Sequence, residues 1–216
     1  MKKVLEKKGF TLVELIVVVA IIGVLAAILI PTLFGAVREA QVNNANTSAS
    51  SIREKMNIFM TKAEIDGYGM GSSETCNARL DISIGDDKVW NVATVADNGT
   101  FSSTGSLQWT GSGSASASDQ NPANAEEALA INMSNIFTDL RNASVVAYLN
   151  GGKVVYVAFA ENVAPADIIA SDGAPAVVGG TNAPYTAPDN DPWGGTIAGF
   201  TSRGFCCGTS PIVPKS

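Results

Sequence analysis

Residues 7–31 read KKGFTLVELIVVVAIIGVLAAILIP, and the fold turns on how that stretch is understood. Two lysines and a glycine lead toward sixteen consecutive residues, 15–30, that carry no polar side chain. The apolar character resumes at Leu33 and Phe34. Residues 10–34 would make a helix of about 37 Å, enough to cross a bilayer. A secretory signal peptide would have a shorter apolar core and then a small-residue cleavage site, whereas here the run continues on both sides of Ala26 and Ala27. Lysines before the run and few charges after it predict the N-terminus inside and the bulk of the chain outside. A plain single-span anchor satisfies this hydropathy but leaves Glu14 unexplained. An isolated carboxylate near the end of a lipid-facing helix costs about 2–3 kcal/mol and so marks a partner. The nearest cations are Lys7 and Lys8, outside the apolar run. The partner must come from another chain or be created by processing.

Taken in order, the short basic leader, Gly9, Phe10, Glu14 and Pro31 resemble the class III signal of type IV prepilins and pseudopilins. The resemblance covers about the first 35 residues in sequence and about 60 in helical pattern. It implies that residues 1–9 are a leader, removed between Gly9 and Phe10 by a membrane-embedded prepilin peptidase that then methylates the Phe10 amine. It also implies that the apolar helix is kept. The amine of Phe10 would pair with Glu14 of a neighbouring subunit during assembly, which relieves the buried charge. Pro31 cannot donate its amide and would kink or loosen the helix; in a bundle, neighbouring helices can re-satisfy the freed group. The plainer reading of Pro31 is a membrane-exit boundary.

Past Phe34 the sequence turns polar without a turn signal. Val42, Ala45, Ala49, Ile52, Met56, Phe59 and Ala63 recur at spacings of three and four, one apolar stripe of an amphipathic helix. Arg53, Glu54, Lys55, Asn57 and Lys62 lie off the stripe. The stripe fits either a coiled-coil seam or, the preferred reading, a helix lying on a sheet. Residues 35–66 thus form the amphipathic second half of one long helix ending before Gly67. Residues 67–216 form a globular head. Within 81–110, VWNVATV and TFSSTGSLQW are β-prone pieces around the turn Asp97-Asn98-Gly99. Residues 111–119, GSGSASASD, read as a flexible surface loop. Asn124 caps a second helix to about Arg141, with Leu129, Met133, Ile136, Phe137 and Leu140 inward. Residues 144–160 read as a hairpin about Asn150-Gly151-Gly152. Residues 161–191 read as a long loop, and TIAGFTSRGFCC as an edge strand. The expected class is α+β: a long N-terminal helix packed on an antiparallel sheet, as in pilins.

Composition narrows the function. The net charge is −6 and falls to −9 once the leader, with four lysines and Glu6, is removed. No basic stripe exists to hold phosphates, so no nucleic-acid partner is expected. With no histidine, no Gly-x-Ser-x-Gly elbow and no phosphate loop, the chain is not read as an enzyme. No cofactor is expected. The metal candidates are Asp189 and Asp191, flanking Asn190 in DNDPWGG, whose oxygens suit calcium; DPWG resembles a short motif in the heads of major pseudopilins. The blander reading is an Asp-Pro turn with Trp193 as a lid on the core. Trp90, Trp109 and Trp193, with Tyr68 and Tyr185, could present an aromatic platform to polysaccharide or a host surface, though such residues are more often core. Of three cysteines, Cys76 could bridge to Cys206 or Cys207, closing a loop of about 130 residues worth roughly 4–5 kcal/mol. A vicinal bridge would be strained, and all three could stay reduced.

The resemblance therefore implies a structural subunit of a type IV pilus, polymerised with copies of itself for adhesion, motility or DNA uptake. The head would stand outside the cytoplasmic membrane before assembly and on the extracellular filament afterwards, with pilus assembly machinery in the inner membrane as partner. The alternatives are a pseudopilin or minor pilin of a type II secretion or competence system, and a non-polymerising, membrane-anchored binding domain.

Overall fold

The computed structural model describes residues 11–66, 78–96, 109, 111–169, 199–200 and 206–210. One helix, α1, spans Leu12–Ile65, about 80 Å at 1.5 Å per residue. Contacts divide the chain into two units, Met1–Ala40 and Gln41–Ser216. Among the described residues the second contains seven strands: β1 (Ala78–Ile84), β2 (Trp90–Ala96), β3 (Ser112–Ala115), β4 (Ala143–Asn150), β5 (Lys153–Glu161), β6 (Gly199–Phe200) and β7 (Cys206–Ser210). They form one sheet in the order β3-β2-β1-β4-β5-β7-β6, every pairing antiparallel. Helix α2 (Ala125–Ile136) and a short α3 (Pro165–Ile169) complete the elements. The α+β architecture expected from the sequence is present.

The second half of α1 packs as its stripe requires. Ala45, Ala49, Ile52, Met56 and Ala63 are buried, with Met60 beside them, against Leu80 and Ile82 of β1, Val145 and Ala147 of β4 and Phe159 of β5. Small residues at 45 and 49 let the sheet come close. At Gly208 of β7, an added Cβ would collide with the backbone of Ala45 and Asn46, so this strand lies directly on the helix. Two asparagines add polar ties. The buried Asn46 accepts the Thr209 amide through Oδ1 at 2.8 Å. Asn57 accepts the Val154 amide at 2.8 Å and donates to the Val154 carbonyl at 2.9 Å. Among the described residues β7 pairs with β5 over Val157–Ala160; nearer the hairpin, Asn57 takes both backbone groups of Val154. Asn57 stands off the apolar stripe, as its sequence position implies, yet half-buried it still bonds β5.

The β4–β5 hairpin forms where expected, with Gly151 and Gly152 at φ of 56° and 74°, positive values that only glycine adopts without strain. Its register shifts between Tyr148 and Leu149, leaving Val155 as an extra residue. A bulge reverses the alternation. Val154 faces the α1 side, and beyond the bulge Val157 and Phe159 do, whereas Tyr156, Ala158 and Ala160 join a second cluster on the opposite face with Val146, Tyr148, Ile168 and Cys207. β4 is consequently buried on both faces.

Three readings are corrected. Residues 112–115, expected in a loop, form β3 and pair with β2. Serine and glycine suit this position because α2 presses on it: a Cβ at Gly113 would lie 2.6 Å from Asn124 Oδ1 and 2.7 Å from the Glu127 amide. α2 begins at the Asn124 cap, whose side chain accepts the Glu127 amide at 2.8 Å, but it ends at Ile136 rather than near Arg141. Phe137 leaves the helical region and turns its ring toward Trp90, centroids 6.2 Å apart, so Leu129 and Met133 are fully buried while Ile136 is exposed. A strand, β1, precedes the expected ones; its alternation of buried Ala78, Leu80, Ile82 and Ile84 is regular. The pieces at 97–108, the loop at 170–191 and the segment 201–205 lie outside the described residues.

Candidate functional site

In the first unit, every residue from Thr11 to Ile30 is exposed except the half-buried Ala26. Sixteen large apolar side chains between Leu12 and Phe34 are exposed. Removing each from water is worth about 1.5–3 kcal/mol, so the uncovered surface represents tens of kcal/mol. None of the described residues covers this surface, which lipid or other helices would cover. The helix is long and apolar enough to cross a membrane. Gly23 has open space around its Cβ position, so a neighbouring helix could approach closely there. Pro31 falls within the helical span. Gly9 and Phe10 lie outside the described residues.

The one carboxylate of this surface has a definite geometry. Glu14 Oε2 accepts hydrogen bonds from the Thr11 amide at 2.9 Å and the Thr11 hydroxyl at 2.7 Å. The Glu14 amide in turn donates to Thr11 Oγ1 at 3.3 Å. Thr11 is therefore the N-cap and Glu14 the third helical residue of a capping box, which satisfies donors a helix start leaves open. The sequence reading treated Glu14 as a carboxylate awaiting a partner and overlooked Thr11. The signal was present, since Thr-Leu-Val-Glu has the Ser/Thr-x-x-Glu spacing of such a box. Oε1 accepts no hydrogen bond among the described residues. Thr11 lies beyond the Gly9–Phe10 bond, so cutting there leaves the box whole.

The other candidates divide. Trp90 is fully buried and Trp109 is only 9% exposed. Both belong to the core under α1, which corrects their reading as sugar-facing rings: a stacking platform must show a ring face. Trp193, Tyr68, Tyr185, Asp189, Asp191 and Cys76 lie outside the described residues. Among the described residues no group of three His, Cys, Asp or Glu side chains could hold a metal ion. Cys206 and Cys207 are free thiols. On the sheet face away from α1, Arg79 holds Asp81 with two bonds, of 2.7 and 2.9 Å. Burial pulls the Arg79 pKa down, but Asp81 and Tyr148 outweigh it and leave it raised; this is a structural, charge-assisted pair on one strand.

Comparison with known proteins bears on the same N-terminal region. The family model for the prokaryotic N-terminal methylation motif matches residues 6–30. The chain is 49% identical over 47 residues to a fimbrial protein of Moraxella nonliquefaciens, covering 22% of this chain and 30% of that one. It is 36% identical over 59 residues to the type II secretion system core protein G of Vibrio cholerae serotype O1, covering 27% of this chain and 40% of that one. The chain thus spans less than half the length of either relative. No solved structure matches it. The N-terminal region thus carries the prokaryotic methylation motif at the start of an exposed apolar helix, and over that region the chain is similar to a fimbrial protein and to a type II secretion core protein G.

Proposed function

We propose that the chain is the subunit of a type IV pilus, made as a prepilin, cut between Gly9 and Phe10 by prepilin peptidase, methylated on Phe10 and polymerised with its own copies into a surface filament. The observation that carries this reading is the exposed apolar surface of residues 12–30 with Leu33 and Phe34, interrupted by one carboxylate. An anchor needs the apolar length but no glutamate. A filament core of packed helices needs both, because the new Phe10 amine is a cation that must be met inside the bundle. The capping box gives Glu14 two uses at once: Oε2 stays on its own helix start while Oε1 accepts the amine of an adjacent subunit. Before assembly the same helix holds the subunit in the cytoplasmic membrane, N-terminus inside and head outside, within reach of the pilus assembly machinery.

A second reading, a pseudopilin of a type II secretion system, is favoured by the similarity to core protein G. It shares every step up to polymerisation. Intact mass of native protein from sheared cells and from membranes separates the two. Abundant sheared protein beginning at methylated Phe10 supports the pilus subunit. The same species confined to membranes supports the pseudopilin, and a chain still beginning at Met1 refutes both.

A further inference from the structure

We infer that the groove between the end of α1 and α2 docks a short extended segment of a partner protein. Asn132 bonds the backbone of that segment, and one of its apolar side chains enters between the two helices. All the described residues lining the groove belong to the second unit, so the inference is independent of the filament reading.

The two helices frame the groove with matching faces. Phe59, Ala63 and Asp66 line it from α1, and Ala128, Ile131, Asn132 and Asn135 from α2. Spacings of three, four and seven put each set on one side of its helix. Ala63 is buried, and Phe59 and Ile131 are partly buried against the core, so the apolar lining continues the core outward. The volume is about 280 Å³, just under the range of about 300–1,000 Å³ usual for small-molecule sites. That is room for one large side chain and its backbone rather than for a helix about 10–12 Å across.

Asn132 is what fits the groove to a peptide backbone. It is half-buried, and among the described residues its side chain has no hydrogen-bond partner. Asn135, one turn on, instead donates to the Ile131 carbonyl at 2.9 Å. The same molecule shows what such an asparagine does when a strand lies within reach. Asn57, half-buried beside the buried Met56, bonds both the amide and the carbonyl of Val154. Asn46 accepts the amide of Thr209. Asn132 stands beside the buried Met133 in the same way, with the groove where the strand would lie. An extended residue placed there offers its own amide and carbonyl to both ends of the side-chain amide.

The rim adds selectivity. Lys62 and Asp66 both line the groove, are exposed and stand four residues apart on α1. Neither is in an ion pair among the described residues. The segment that suits them carries one acidic and one basic residue around its apolar one. Such exposed pairs add little affinity and chiefly decide which partner and which direction are accepted.

The test titrates the full chain, isotope-labelled in detergent, with acetyl-Glu-Val-Lys-amide and with acetyl-Lys-Val-Glu-amide. The signal followed is the side-chain amide of Asn132, identified by its loss in Asn132→Ala. One of the two peptides should shift it saturably with a Kd of about 1 mM, as befits so small a contact. Asn132→Ala should fold normally, because alanine favours a helix. Read from the backbone amides of α2, it should bind about tenfold more weakly for want of the two hydrogen bonds. Glycine in place of the valine should abolish the shift. The inference is overturned by the absence of a saturable shift with either peptide up to about 10 mM. A response equal with the glycine peptides, or undiminished in Asn132→Ala, would overturn it too, since the peptide would then bind elsewhere or to detergent. A shift produced by concentrating the chain alone would put a second copy in the groove and equally remove the partner.

Discussion

The two halves of α1 are one helix under two regimes. Residues 12–30 are dominated by Val, Ile and Leu and are exposed all round; residues 41–65 are rich in Asn, Ser, Thr and Ala and buried along one stripe. Neither composition favours a helix in water, since β-branched side chains lose rotamer freedom and Asn, Ser and Thr compete for backbone bonds. Thr47 and Thr61 do bond back to the carbonyls of Asn43 and Asn57. Each half is therefore held by what covers it. For the second half the cover is in the chain: the sheet, Gly208 and two asparagines. For the first half no cover exists among the described residues, and in an apolar medium the helix would be enforced because no water is there to satisfy its backbone.

The largest test of that contrast is Glu14→Ala. If other subunits cover the first half, losing the one charged partner should cost about 2–5 kcal/mol per contact, a fall in assembly of roughly thirtyfold or more. Sheared filament protein should vanish while the processed chain stays in the membrane. Undiminished filaments would show that apolar packing covers the first half without a charge pair.

Gly208→Ala tests the covered half. The new methyl meets the helix backbone, which cannot rotate aside as a side chain could. Overpacking of this kind costs about 1–3 kcal/mol, with the upper end expected here. Denaturant unfolding of the chain in detergent, followed by the fluorescence of its tryptophans, should show the midpoint fall. Membrane retention should be unchanged, because the first half takes no part in this contact.

Asn57→Ala should cost less, about 1–2 kcal/mol, since the amide and carbonyl of Val154 would both lose the side chain that pairs them. Asn57→Asp keeps the acceptor for the Val154 amide but sets an anionic oxygen against the Val154 carbonyl, so its midpoint should fall at least as far as that of the alanine variant. Equal midpoints for all three would mean that Asn57 merely sits beside β5.

Much of this was legible before the structure, for identifiable reasons. The apolar run, the stripe from Ala45 to Ala63 and the Asn-Gly-Gly hairpin repeat a period or use a residue with no alternative role. What escaped notice lacked such a signal. Asn46 and Asn57 look like any polar residues of a surface helix, because their partners, Thr209 and Val154, are about a hundred or more residues away in sequence. β3 escaped because Ser-Gly-Ser-Ala has no apolar alternation, its small residues being required by the helix above it. The parity reversal at Val155 depends on a bulge that pairing alone reveals. Trp90 and Trp109 show the converse: aromatic character is plain in a sequence, but whether a ring faces the core is decided by register. At the N-terminal site Glu14 was conspicuous for its charge, while Thr11, which positions it, passed as a neutral neighbour.

Thr11→Val turns that pairing into the finest test of the contrast. Valine keeps the backbone amide that reaches Glu14 Oε2 but removes the hydroxyl that both donates to the carboxylate and accepts the Glu14 amide. Loss of such a cap costs about 1 kcal/mol, less than the loss of an intermolecular charge pair. Assembly should therefore fall only a few-fold, with Phe10 still exposed and methylated by intact mass, and Thr11→Ser should restore it. If Thr11→Val instead abolishes filaments as fully as Glu14→Ala, the capping box is the whole role of Glu14. The carboxylate would then serve its own helix rather than a neighbour's amine, and the cover of the first half would rest on apolar packing alone.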